Sequence, residues 1–151
     1  MKRSLLLSAI CFLFACILTS CSKEGCMDVD AYNYDYKANK NDQTCTYEGK
    51  VVFWYDQSVS DDLVDTTIWA AETLTYIVGG EVIDVYPVDS SWVAAPNCND
   101  LGAVIVTKDL GSMKTKTYTY SITDEEGYEV WSGHLQVDAN ACYAVQLVSW
   151  W

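Results

Sequence analysis

Histidine is nearly missing from this chain: His134 is the only one. A hydrolytic triad needs an imidazole or an equivalent base beside its nucleophile, and a zinc centre draws on His and closely spaced Cys ligands. With one histidine and no Cys-x-x-Cys pair, the sequence lacks the parts for either. Basic residues are also few, 9 against 21 acidic ones. Such a surface repels phosphate backbones, which argues against nucleic acid as a partner. No glycine-rich phosphate loop, nucleophile elbow or two-histidine helix motif is present. No apolar run has the ~20 residues of a permanent membrane span. Proline is scarce, whereas tyrosine and tryptophan are abundant, at 11 and 6 residues. Aromatic residues of this kind favour strands over helices.

The first residues have the three-part layout of a secretory signal. Lys2 and Arg3 give a positive start, Leu5 to Ile17 is apolar apart from Ser8, and Thr19 and Ser20 are small. The stretch Leu18-Thr19-Ser20-Cys21 resembles the lipobox of bacterial lipoproteins. That resemblance implies a cleavable signal peptide over 1–20, two or three acyl chains on Cys21 and a lipidated tether over 21–24. Each buried methylene contributes about 0.8 kcal/mol, so several chains anchor stably where one holds only marginally. The implied partner is the lipid bilayer, and the implied place is the cell outer membrane, facing the periplasm or the surface. Ser22-Lys23-Glu24 is loosely similar to surface-export signals of Bacteroidetes lipoproteins, which leaves both leaflets open. Once Lys2 and Arg3 leave with the signal, seven basic residues face 21 acidic ones, a net charge of −14.

The seven cysteines sort by position. Cys11 and Cys16 lie in the signal core and Cys21 is the lipid site, leaving Cys26, Cys45, Cys98 and Cys142. An even number outside the cytoplasm suits a disulfide framework, and four cysteines allow three pairings. Cys26–Cys45 with Cys98–Cys142 is the expected pairing, because each pair brackets one structural unit. Free buried thiols or a metal site are the alternatives.

Residues 25–47 have neither helical nor strand period. Gly25, Cys26, Asp28, Ala31, Asn33, Tyr34, Asp35, Ala38, Asp42, Cys45 and Tyr47 resemble a short Cys-bracketed acidic repeat of secreted Bacteroidetes proteins. Asn41 and Gln43 depart from it, replacing an acid and a glycine. The module also gathers Asp28, Asp30, Asn33, Asp35, Asn39 and Asp42, hard oxygen donors of the kind Ca²⁺ takes. A cation there would relieve repulsion in a unit too small for a core. The other reading is that Asn and Asp simply build turns.

Residues 50–151 read as strands joined by turns. Val51–Tyr55, Thr73–Val78, Glu81–Tyr86, Ala103–Thr107, Thr115–Thr123, Tyr128–Val137 and Cys142–Val148 are the expected strands. Gly79-Gly80 between two β-rich runs predicts a tight hairpin, since such turns need positive φ. Ser58–Thr67 is expected to be a loop, Pro87–Asp100 a long connection, and no amphipathic helix is expected after the signal. On the last long strand, Trp131, Leu135 and Val137 are expected inward, with Val130, Ser132, His134 and Gln136 opposite. The fold class is all-β: an antiparallel β-sandwich of about seven strands, preceded by a small disulfide-stapled loop module. Val52-Phe53-Trp54, Pro96-Asn97-Cys98, Tyr118-Thr119-Tyr120, Trp131-Ser132-Gly133 and Cys142 with Val145-Gln146-Leu147 resemble small immunoglobulin-like or carboxypeptidase-regulatory-like modules of Bacteroidetes lipoproteins. The resemblance supports Cys98–Cys142 and implies an accessory or structural role.

Asp61-Asp62 and Glu125-Glu126 read as solvated turn acids, so no catalytic residue is assigned. Trp92, Trp150 and Trp151 fall outside the alternating pattern. They either cap the ends of the sandwich or stack on sugar rings or a protein partner. The expected function is a membrane-anchored, non-enzymatic envelope lipoprotein. The alternative is a carbohydrate-binding surface module using those tryptophans, with Ca²⁺ as a helper.

Overall fold

The computed structural model describes residues 22–65 and 67–151. The signal segment and Cys21 lie outside them. Two short strands, β1 (Glu24–Gly25) and β2 (Lys40–Asn41), pair in parallel within the N-terminal module. After them come β3 (Tyr47–Trp54), α1 (Gln57–Val64), β4 (Thr73–Val78) and β5 (Glu81–Pro87). The chain finishes with β6 (Val104–Gly111), β7 (Thr115–Asp124), β8 (Glu129–Asp138) and β9 (Cys142–Gln146). Strand is the dominant structure. One sheet has the order β6-β3-β9, the other β5-β4-β7-β8. Among the described residues, no helix is long and apolar enough to cross a membrane.

Alternation decides which faces are buried. On β4, Leu74, Tyr76 and Val78 are buried while Thr75 and Ile77 are half-buried. On β6, Val104, Val106, Lys108 and Leu110 point inward. The two sheets meet through aromatic rings: Phe53 of β3 lies 5.8 Å from Tyr76 and 5.2 Å from Tyr120, centroid to centroid. Gly79 and Gly80 turn the β4–β5 hairpin at φ +64° and +83°, the left-handed region that glycine enters without steric cost. Gly49 has a different reason. A Cβ there would stand 2.3 Å from the Asp138 carbonyl oxygen and 2.6 Å from a Val137 methyl, where β3 and β8 approach. Replacing Gly49 with alanine is expected to lower stability by about 1–3 kcal/mol through overpacking, read from denaturant unfolding. An unchanged midpoint would show that β8 can move aside.

Several expectations need correction. Gln57–Val64 is a helix, not a loop. The Asp56 side chain accepts the Val59 amide at its N-terminus, and Val59, Ser60 and Leu63 are buried on one face. The sheets are not wholly antiparallel, because β3 and β9 run parallel from Lys50–Cys142 to Trp54–Gln146. Val130 is buried rather than outward. The register shifts opposite Ile122 and Thr123, so β8 carries an extra residue there, and this bulge turns Val130 inward beside Trp131. β3 also starts at Tyr47, the last residue of the acidic module, so no slack linker separates module from body. Glu125 is more than a solvated turn acid: its carboxylate accepts the Glu72 and Thr73 amides where β4 begins.

Both expected disulfides are present, Cys26–Cys45 and Cys98–Cys142. The second ties the long connection after β5 to the first residue of β9. That connection packs Cys98, Ala103 and Trp92 over Val52, on the face of the three-stranded sheet away from the main core.

Candidate functional site

The acidic module is built around its own turns. Asp28 Oδ1 accepts the Asp30 amide at 3.1 Å, and Asp35 Oδ1 accepts the Lys37 amide at 2.9 Å. Asp42 Oδ1 accepts the amide and hydroxyl of Thr44 at 3.0 and 2.7 Å. Asn33 bridges across the loop, donating to the Thr44 carbonyl and accepting from the Thr46 amide. Asn39 is exposed, and its backbone amide donates to the Lys23 carbonyl.

Lysines neutralise the remaining charge. Lys114, on the turn before β7, reaches Asp28 at 2.7 Å and Asp30 at 3.0 Å, and lies 5.7 Å from the Tyr47 ring centroid. The Tyr47 hydroxyl donates to Asp28 at 2.9 Å. Lys23 pairs with Asp35. Asp28 and Asp30 therefore converge on Lys114, while Asp35 turns to Lys23, Asp42 to Thr44 and Asn33 to the Thr44 and Thr46 backbone. Among the described residues, no group of three or more His, Cys, Asp or Glu side chains could hold a metal ion. Lysine ammoniums and turn amides bond Asp28, Asp30, Asp35 and Asp42, the arrangement expected where acids build turns. Addition of a chelator is expected to leave the melting temperature unchanged. A downward shift would restore the cation.

The ammonium of Lys114 holds the Asp28 carboxyl below the usual range, that of Lys23 does the same for Asp35, and the Thr44 hydroxyl for Asp42. A depressed carboxyl pKa contributes stability above the unfolded pKa, and that contribution is lost as pH falls through the folded value. The module is thus expected to loosen only below about pH 4. Amide protection factors of residues 26–47 should fall there before those of β4 and β7. Loosening already at pH 6 would contradict this.

The three tryptophans do not share one face. Trp92 is half-buried against Val52, Cys98 and Ala103. Trp150 and Trp151 belong to a different group, where Trp151 lies 5.6 Å from Trp69, 5.9 Å from Trp131 and 5.9 Å from Trp150. Indole-to-carbonyl bonds pin this segment along β8. The Trp131 indole donates to the Val148 carbonyl and the Trp150 indole to the Val130 carbonyl, both at 2.9 Å. Trp150 nevertheless stays 67% exposed, a large aromatic surface open to solvent. Trp131 is inward on β8, as the alternation predicts, and Trp69 is the member of this group that the strand pattern did not single out. The C-terminal pair becomes a cluster only through contacts with residues distant in sequence.

His134 is exposed on β8, opposite Thr119 of β7. It borders a shallow depression of about 430 Å³ with Ser121, Ser132 and Glu129. This is a hydroxyl-lined sheet face. Asp61 is held by the Gln57 amide one helical turn earlier, 2.8 Å away. Compared with protein families, with curated proteins and with solved structures, the chain matches none.

Proposed function

We propose that this chain is a membrane-anchored, non-enzymatic lipoprotein with a structural or accessory interaction role in the cell envelope, acylated at Cys21. The disulfide pattern carries this reading. Cys26, Cys45, Cys98 and Cys142 are all consumed in two bonds, which leaves the lipobox cysteine as the odd thiol after the signal core. Disulfides persist outside the reducing cytosol, in agreement with export. The two facing sheets are read as a β-sandwich of about seven strands akin to immunoglobulin-like or carboxypeptidase-regulatory-like modules. A fold of this kind assigns no activity by itself. The acidic module, clamped by Lys114 and continuous with β3, works as a stiff collar between anchor and body.

The exposed Trp150 beside Trp151 favours one second reading, a carbohydrate-binding surface module. Glycan-array screening and pull-down with the soluble fragment from Ser22 separate the two. The accessory role predicts no glycan signal and recovery of an envelope protein. A glycan signal that disappears with Trp150→Ala would establish the second reading instead.

A further inference from the structure

Only Ser22 and Lys23 separate Cys21 from β1. Three peptide steps span at most roughly 11 Å, so the Cys21 Cα cannot lie farther than that from the Glu24 Cα. The folded end of this leash is fixed. The Lys23 carbonyl accepts the Asn39 and Lys40 amides at 2.9 and 3.3 Å, and its ammonium pairs with Asp35. Residues 35–40 are thereby held against the residues next to the acylation site. Tyr36 and Lys37 stand on the turn within this segment. Tyr36 is 74% exposed, and the exposed Lys37 ammonium lies 5.3 Å from its ring centroid. Lys40 is exposed in the same segment, paired with Glu24. Of these three lysines, Lys23 and Lys40 are paired with Asp35 and Glu24, which leaves the Lys37 ammonium beside Tyr36 as the positive charge the turn presents.

We propose that Tyr36 and Lys37, flanked by Lys23 and Lys40, form a membrane-contact strip seated in the phospholipid headgroup layer. This rests on acylation of Cys21. A phenol suits that layer, where its ring meets acyl carbon and its hydroxyl meets water. The Lys37 ammonium suits a lipid phosphate within a Debye length, while Lys23 and Lys40 meet the layer as neutral pairs with Asp35 and Glu24. The acidic body then stands away from the bilayer, and the short tether gives it a fixed posture rather than a swinging one. β3 rises roughly 23 Å from Tyr47 to Trp54. The Trp92 amide donates to the Tyr55 carbonyl, so the fully exposed Val93 lies beyond the end of β3 opposite to the module.

The test uses the full acylated chain in vesicles of phosphatidylethanolamine and phosphatidylglycerol carrying a headgroup nitroxide. A fluorophore on Lys37→Cys is expected to be quenched several-fold more than one on Val93→Cys. A thiol-free measurement stands beside it. A water-borne amine reagent should modify native Lys37 several-fold more slowly on vesicles than in the soluble Cys21→Ser chain. Equal quenching at both positions, or equal Lys37 reactivity, with acylation verified by mass overturns the contact strip and leaves the anchor standing. Absence of acyl groups on Cys21 overturns the strip through its premise, and mass spectrometry reads that failure separately.

Discussion

Cys21→Ser is expected to move this protein from the membrane fraction to the soluble fraction. The effect should be large, because on the lipoprotein reading the acyl chains supply most of the affinity for the bilayer. Among the described residues no helix spans a membrane. The proposed contact strip offers one exposed tyrosine and a few lysines in a chain of 9 basic and 21 acidic residues. The two or three acyl chains proposed on Cys21 would bury tens of methylenes at about 0.8 kcal/mol each, far beyond what that strip supplies. The folded body of the variant should be unaltered, since Cys21 takes no part in either disulfide. Fractionation followed by circular dichroism of the released chain checks both halves. Retention in the membrane after an alkaline wash would mean that another segment carries the anchor.

Loss of the Cys98–Cys142 bridge is the second large effect. The bond closes a loop with a sequence separation of 44. In the chain-entropy model a loop of that size is worth about 4 kcal/mol. Domains of this size have only about 5–15 kcal/mol of net stability, so the double variant Cys98→Ala/Cys142→Ala is expected to be marginal. Contacts in the native state add to this. The bridge holds the connection between β5 and β6 over Val52, and Cys98 and Ala103 lose their seat when it swings free. Removing Cys26–Cys45, with a separation of 19, costs about 3 kcal/mol in the same model. Urea unfolding measures both. A change below ~1 kcal/mol for Cys98→Ala/Cys142→Ala would place the stability elsewhere and demote the bridge to a local clip.

Local chemistry was legible wherever it determines structure by itself. Gly79-Gly80 encodes its turn, since only positive φ closes a two-residue hairpin, and β4 and β5 form on either side of it. The alternation over Thr115–Thr123 encodes β7, with Ile122 buried and Thr117 and Thr119 exposed. Cys26–Cys45 was legible because it brackets the acidic module, whereas the span closed by Cys98–Cys142 runs through β6, β7 and β8 of both sheets. Helix α1 was not. Its buried stripe is only Val59 and Leu63, and Ser58, Ser60, Asp61 and Asp62 read as turn residues when tertiary contacts are unknown. The Ser60 hydroxyl donates to the Val88 carbonyl at 2.7 Å, a contact that comes from a distant loop. Strand direction was equally hidden, because a period of two residues carries no information on whether β9 lies parallel or antiparallel to β3.

The acidic module shows the same limit. Its carboxylates are plain in the sequence, and clustered acids suggest a cation. The cation the chain supplies is Lys114, 84 residues beyond Asp30. Nothing in residues 25–47 points to it. Likewise Trp150 and Trp151 could be noticed as out of phase, but their neighbours Trp69 and Trp131 come from other parts of the chain. Long-range pairing decides what a local cluster does.

Intact-mass spectrometry of the protein extracted from the membranes of its native host bears most directly on the acylated, disulfide-closed state. The expected product begins at Cys21, carries two or three acyl chains and contains both disulfides. A chain that still begins at Met1, or that begins at Cys21 without acyl groups, would contradict the lipoprotein reading.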